Sequence, residues 1–126
     1  MNINYPIGDF LIRLKNAVLA GNKSFEVETT SLIKSVANAL KKSGYLESVE
    51  ARDKRLLITL KAQEGRPAIS EIKLVSKPGL RIYADAKSLK KKRGGSALIL
   101  STSKGIMTMK DAIKSGVGGE IIAEIW

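Results

Sequence analysis

The sequence predicts an α/β (α+β) protein of two small domains, helices packed on a short sheet first and a strand-rich half after them. Three observations carry that expectation. Apolar residues recur at helical spacing as far as Leu40. Beyond Leu80 an alternation with a period of two takes over. Between these stretches lie Gly65, Pro67, Pro78 and Gly79, residue types that interrupt regular elements. The expected domains are residues 1–66 and 67–126, the second of them carrying the binding surface.

The elements follow in order. Ile7, Phe10, Leu11, Leu14 and Val18 share one helical face, and Pro6 suits a first helical position, where no N–H is needed. Asp9 lies in the favourable first turn and can pair with Arg13 four residues on. Gly21 and Asn22 end this helix, and residues 25–28 read as extended. A second helix is expected over residues 30–43, with Leu32, Val36 and Leu40 as its stripe and Ile33 and Ala37 beside it. Thr29 or Thr30 can cap its start, and Gly44 fits the C′ position. Strands over 46–51 and 55–61 face each other across Arg52, Asp53 and Lys54.

A polar break at 63–67 precedes an apolar stretch at 69–75, and Pro78 and Gly79 fill the centre of a type II turn. Further on, Leu80 and Ile82 alternate with Arg81 and Tyr83, and Ala97 and Ile99 with Leu98 and Leu100. Ile121, Ala123 and Ile125 alternate with Glu120, Ile122 and Glu124. Residues 110–115 are the only short helix expected in this half.

Charge narrows the function. Among 126 residues, 22 Lys and Arg outweigh 12 Asp and Glu, a net charge of +10. Residues 1–66 contribute +4 and residues 67–126 contribute +6. So basic a chain collects polyanions, with nucleic acid the default partner. There is no Cys and no His, and the acids are scattered singly, so neither thiol chemistry, a metal site nor a cofactor is indicated. The N-terminus lacks the pattern of a signal peptide and no apolar run is long enough to span a bilayer. A soluble cytoplasmic protein is expected.

The segment ALILSTSKG at 97–105 concentrates the chemistry. Ser101, Thr102, Ser103 and Lys104 match S-x-x-K, in which a lysine activates a serine for acyl transfer, and Lys114, Ser115 and Gly116 resemble the accompanying K-T-G. No S-D-N element is present, the serine follows a strand rather than opening a helix, and the chain is short for such a cleft. Phosphate-binding loops of the Walker or dinucleotide type are missing as well. What fits is RNA reading. Hydroxyls at a strand end offer donors and acceptors to base edges and 2′-OH groups, Lys104 reaches a phosphate, and Gly105 permits close approach. An ordinary polar turn is the plainer alternative. Tyr83 beside Arg81 on an exposed face could stack on one unpaired base. Lys87 and the tetrabasic run at 90–93, beginning at Lys90, suit sequence-blind phosphate contacts or a solvated loop.

Four segments together resemble one family, the eighth protein of the bacterial small ribosomal subunit: PIGDFLIRLKNA at 6–17, SKPGLRIY at 76–83, STSKGIMT at 101–108 and GVGGEII at 116–122. The resemblance implies a non-enzymatic constituent of the small subunit that binds the central domain of 16S rRNA early in assembly, as a monomer among neighbouring ribosomal proteins. It places Ser101, Thr102, Ser103, Lys104 and Gly105 on an irregular RNA core, with Tyr83 and Glu120 nearby. Lys77 and Arg81 join them as candidate contacts, and the first helix adds another through Arg13. Some family members also repress their own operon by binding a mimic of this RNA in its mRNA. Three positions depart from the family pattern. Tyr5 replaces an aspartate before the proline, which shifts capping to Asn4, and Glu28 and Ser31 alter a basic approach to the second helix. A messenger-only regulator and an acyl-transfer enzyme are the alternatives.

Overall fold

The structure, a computed structural model, describes residues 5–92 and 94–126. The first half runs α1 (Pro6–Ala20), β1 (Ser24–Glu28), α2 (Ser31–Lys42), β2 (Leu46–Arg52) and β3 (Arg55–Leu60). A small ribbon, β4 (Ala62–Gln63) and β5 (Arg66–Pro67), leads into β6 (Ile72–Leu74), β7 (Tyr83–Ala84) and α3 (Ala86–Lys90). The chain closes with β8 (Ala97–Thr102), β9 (Gly105–Thr108), α4 (Met109–Ser115) and β10 (Gly119–Ile125). The mixed α+β class is as expected.

Both main sheets are antiparallel. One has the order β1-β3-β2; the other runs β6-β10-β8-β9, with β7 also paired to β10. The larger apolar cluster draws Phe10, Leu14 and Val36 from the first half and Ile99, Ile122 and Ile125 from the second. A smaller one joins Leu89, Leu98, Leu100 and Ala112 on the other face of the second sheet. The 98/100 and 99 alternation thus separates two cores rather than core from solvent. β8 is covered on both faces.

Several expectations are corrected. The stripe of α2 is Ile33, Val36, Ala37 and Leu40, while Leu32 is 43% exposed. Thr30 is the N-cap, its hydroxyl accepting from Ile33 N at 3.1 Å, so the turn beginning at Ser31 phases residue 33 inward. The Asp9–Arg13 pair does not form; Arg13 Nη1 donates to the Glu26 carbonyl on β1 at 3.2 Å. The polar break at 63–67 folds into the β4–β5 ribbon, because Glu64 (φ 53°) and Gly65 (φ 77°) both take the positive φ of a two-residue hairpin turn.

The alternation at 80–83 is strand only at Tyr83, since Leu80 is held in the preceding turn by reciprocal backbone bonds with Lys77, both 2.9 Å. Gly79 (φ 86°) supplies the conformation that the expected type II turn requires. A second short helix, α3, accompanies α4: Asp85 caps it by accepting from Ser88 N at 2.7 Å. In β10 a bulge at Ile122 breaks the alternation, so Ile122 and Ala123 are both buried.

Candidate nucleic-acid interface

The sheet pairing gathers much of the expected site. Ser101 on β8 lies opposite Glu120 on β10, and Glu120 opposite Tyr83 on β7. Residues paired across adjacent strands share a face, so Tyr83, Glu120 and Ser101 form one row across three strands. Gly119 makes the row possible. A Cβ there would run into the Ser101 carbonyl oxygen, and one at Gly118 into the Ala84 carbonyl oxygen.

Beyond Ser101, β8 turns into β9 through Ser103 and Lys104, with Thr102 paired to Gly105. The Thr102 hydroxyl is spent on this turn: it donates to the Gly105 carbonyl at 2.8 Å and accepts from Lys104 N at 3.1 Å. Gly105 sits at φ 112°, a conformation L side chains rarely adopt. Ser103 and Lys104 project into solvent, and no hydrogen bond to the described residues engages the hydroxyls of Ser101 and Ser103. Two of the three hydroxyls therefore offer donors and acceptors outward, while the third shapes the turn that carries them.

Tyr83 is 70% exposed, well beyond the half-buried position a structural tyrosine would take. Arg81 is engaged within the protein. Its Nη1 donates to Glu120 Oε2 at 3.0 Å, and its guanidinium lies 5.0 Å from the centroid of the Tyr5 ring. The hydrogen bond to Glu120 holds the Arg81 pKa above its usual value. Tyr5 stands at the N-cap of α1 without a side-chain cap. Its hydroxyl donates to the Ser76 carbonyl at 3.3 Å, and burial raises the pKa of its phenol. The expected capping by Asn4 falls outside the described residues.

The remaining candidates are dispersed. Lys77 stands in the turn before β7, and Lys87 and Lys90 occupy α3, the helix that follows β7. Within the basic run, Lys92 Nζ donates to Ser96 Oγ at 2.7 Å and lies 3.7 Å from Glu124, so this residue is a clasp rather than part of a solvated loop. Arg93 is outside the described residues. Arg13, turned toward β1, is not brought to the row. What the sequence left unseen was the pairing of Tyr5 with Ser76. Their contact spans 71 positions and has no local signature. Among the described residues no cluster of acidic side chains suits a metal ion, and no helix is long and apolar enough to cross a membrane.

A half-buried serine, an exposed one, a lysine and an aromatic ring stand together at the end of a sheet in a basic chain, a pattern suited to binding through a surface. A family model described as ribosomal protein S8 matches residues 5–126, and the chain belongs to this family of structural, non-enzymatic ribosomal proteins. It is 44% identical over 130 aligned positions to the small ribosomal subunit protein uS8 of Teredinibacter turnerae, with both chains fully covered. Its identity to the uS8 protein of Acaryochloris marina is 42% over 133 positions, again covering both chains. For the uS8 protein of Nitratidesulfovibrio vulgaris it is 43% over 122 positions, covering 96% of this chain and 97% of that one.

Proposed function

We propose that this chain is a structural component of the small ribosomal subunit that binds the central domain of 16S rRNA and favours its folded form during assembly. The observation that carries the reading is the row Tyr83, Glu120 and Ser101 continued by the Ser103–Lys104 turn. Groups with unspent hydrogen-bonding capacity stand there on a rigid support, as recognition of an irregular RNA helix requires. In this reading Ser101 and Ser103 read the RNA, Tyr83 stacks on one base, and Lys104, Lys77, Lys87 and Lys90 meet phosphates. Thr102, Gly105 and Arg81 shape the surface rather than read from it.

The work divides between residues 1–66, where Arg13 would be a separate contact away from the row, and residues 67–126, which carry the surface. The protein acts as a monomer in the ribosome of the cytoplasm, beside neighbouring small-subunit proteins. The same surface would repress its own operon wherever the mRNA presents the same RNA shape.

Sedimentation of tagged protein with chemical footprinting of the 16S rRNA tests the proposal. Co-migration with small subunits and protection confined to the central domain are expected. Recovery only in ribosome-free fractions with bound messenger would favour a regulator that acts on mRNA alone.

A further inference from the structure

Tyr5 joins the start of the chain to the candidate interface. Its ring lies against the first turn of α1 at Gly8, where a Cβ would collide with it. Tyr5 also packs against the larger apolar core, with the Arg81 guanidinium 5.0 Å from the ring centroid and the Ser76 carbonyl 3.3 Å from its hydroxyl. A further link is indirect: the Ser76 hydroxyl accepts from Ile82 N at 2.9 Å, fixing the backbone beside Arg81. Between the Tyr5 ring and Glu120, the guanidinium has one side in cation–π contact and one hydrogen-bonded side.

The charge arithmetic gives this arrangement a purpose. Glu120 is the acid in the middle of the row, flanked by Ser101 and Tyr83. An unpaired carboxylate there would repel an approaching phosphate backbone. The Arg81 side chain is 41% exposed and would exchange this pairing for water if nothing confined it. The cation–π contact with Tyr5 confines it, a contact that a planar guanidinium makes more readily than an ammonium does.

We infer that Tyr5 is a positioning residue for RNA recognition, holding Arg81 on Glu120 so that the row meets RNA without an exposed negative charge. This rests on the RNA-binding reading above. The test measures binding of the full chain to a 16S central-domain fragment and to a random RNA duplex, well below each variant's melting temperature. Tyr5→Leu should weaken fragment binding about three- to fivefold and duplex binding less, because only the fragment docks on the row where Glu120 stands. Tyr5→Phe, which keeps the ring, should retain most of the wild-type affinity. Arg81→Lys, with Tyr5 intact, should reproduce the weakening, which keeps the idea testable if Tyr5→Leu folds poorly. Adding Glu120→Gln should make the Tyr5→Leu change nearly silent, because no carboxylate is left to neutralise. A merely structural tyrosine would lower the melting temperature and weaken binding equally with and without the Glu120→Gln substitution, and that result overturns the inference. Wild-type chain that binds fragment and duplex equally would instead remove the RNA reading itself, and the inference with it.

Discussion

At the scale of single residues, the three hydroxyls of the β8–β9 turn divide into two kinds. Thr102 is used within the protein and Ser101 and Ser103 are not, which separates the expected effects of their removal. Ser103→Ala should cost roughly 1–3 kcal/mol on cognate RNA and little on random duplex. Equal weakening on both, measured by filter binding or calorimetry, would show that this residue reads no base. Thr102→Val should act through the fold, removing two turn hydrogen bonds and destabilising the isolated protein by about 1–2 kcal/mol in denaturant melts. Gly119→Ala belongs with it. Its Cβ meets a backbone carbonyl that cannot rotate away, so a loss of roughly 1–3 kcal/mol is expected, with separation of β8 from β10 at the row.

At the scale of elements, α2 and α4 are tied across the molecule by Lys42 and Asp111, whose charged atoms are 2.8 Å apart. The hydrogen bond from Lys42 holds the Asp111 carboxyl below its ordinary pKa. A group lowered in the folded state stabilises above its unfolded pKa and loses that contribution as pH falls through the folded value. Asp111→Asn should therefore cost up to about 1 kcal/mol at neutral pH, with wild type and variant converging below about pH 4. Melting curves across the acidic range would show the convergence, and a constant gap would refute it. The helices themselves were legible in the sequence because their signals are local: Pro6, Thr30 and Gly44 punctuate α1 and α2 where expected. α3 was not. It has five residues, too few for a period, and its one clear mark is the Asp85 cap within a lysine-rich stretch. The bulge at Ile122 was hidden for another reason, since a run of apolar residues reads the same whether or not one is inserted.

At the scale of the whole molecule, charge and pairing act together. Lys87 and Lys90 are exposed on α3, and replacing both with alanine should weaken binding to all RNAs alike. The slope of log affinity against log salt should shrink by roughly 0.7–0.9 for each phosphate no longer neutralised. An unchanged slope would place α3 away from the RNA. The candidate site was half legible. The serines, Lys104 and Tyr83 stand out as residue types in a basic half, but their gathering into one row depends on β10 entering between β7 and β8. The partners of Arg81 come from positions 5 and 120, which no window of neighbouring residues could join. The double covering of β8 has one more consequence. Ile99 and Leu100 are fully buried on opposite faces, and their strand is paired on both edges, so their amides should exchange with solvent only when the whole protein opens. The Ser103–Lys104 turn is thus the tip of a strand held on both edges and covered on both faces. In the proposed RNA-binding reading, adaptation on contact should fall to the nucleic acid, and the protein should serve as a mould that keeps its form.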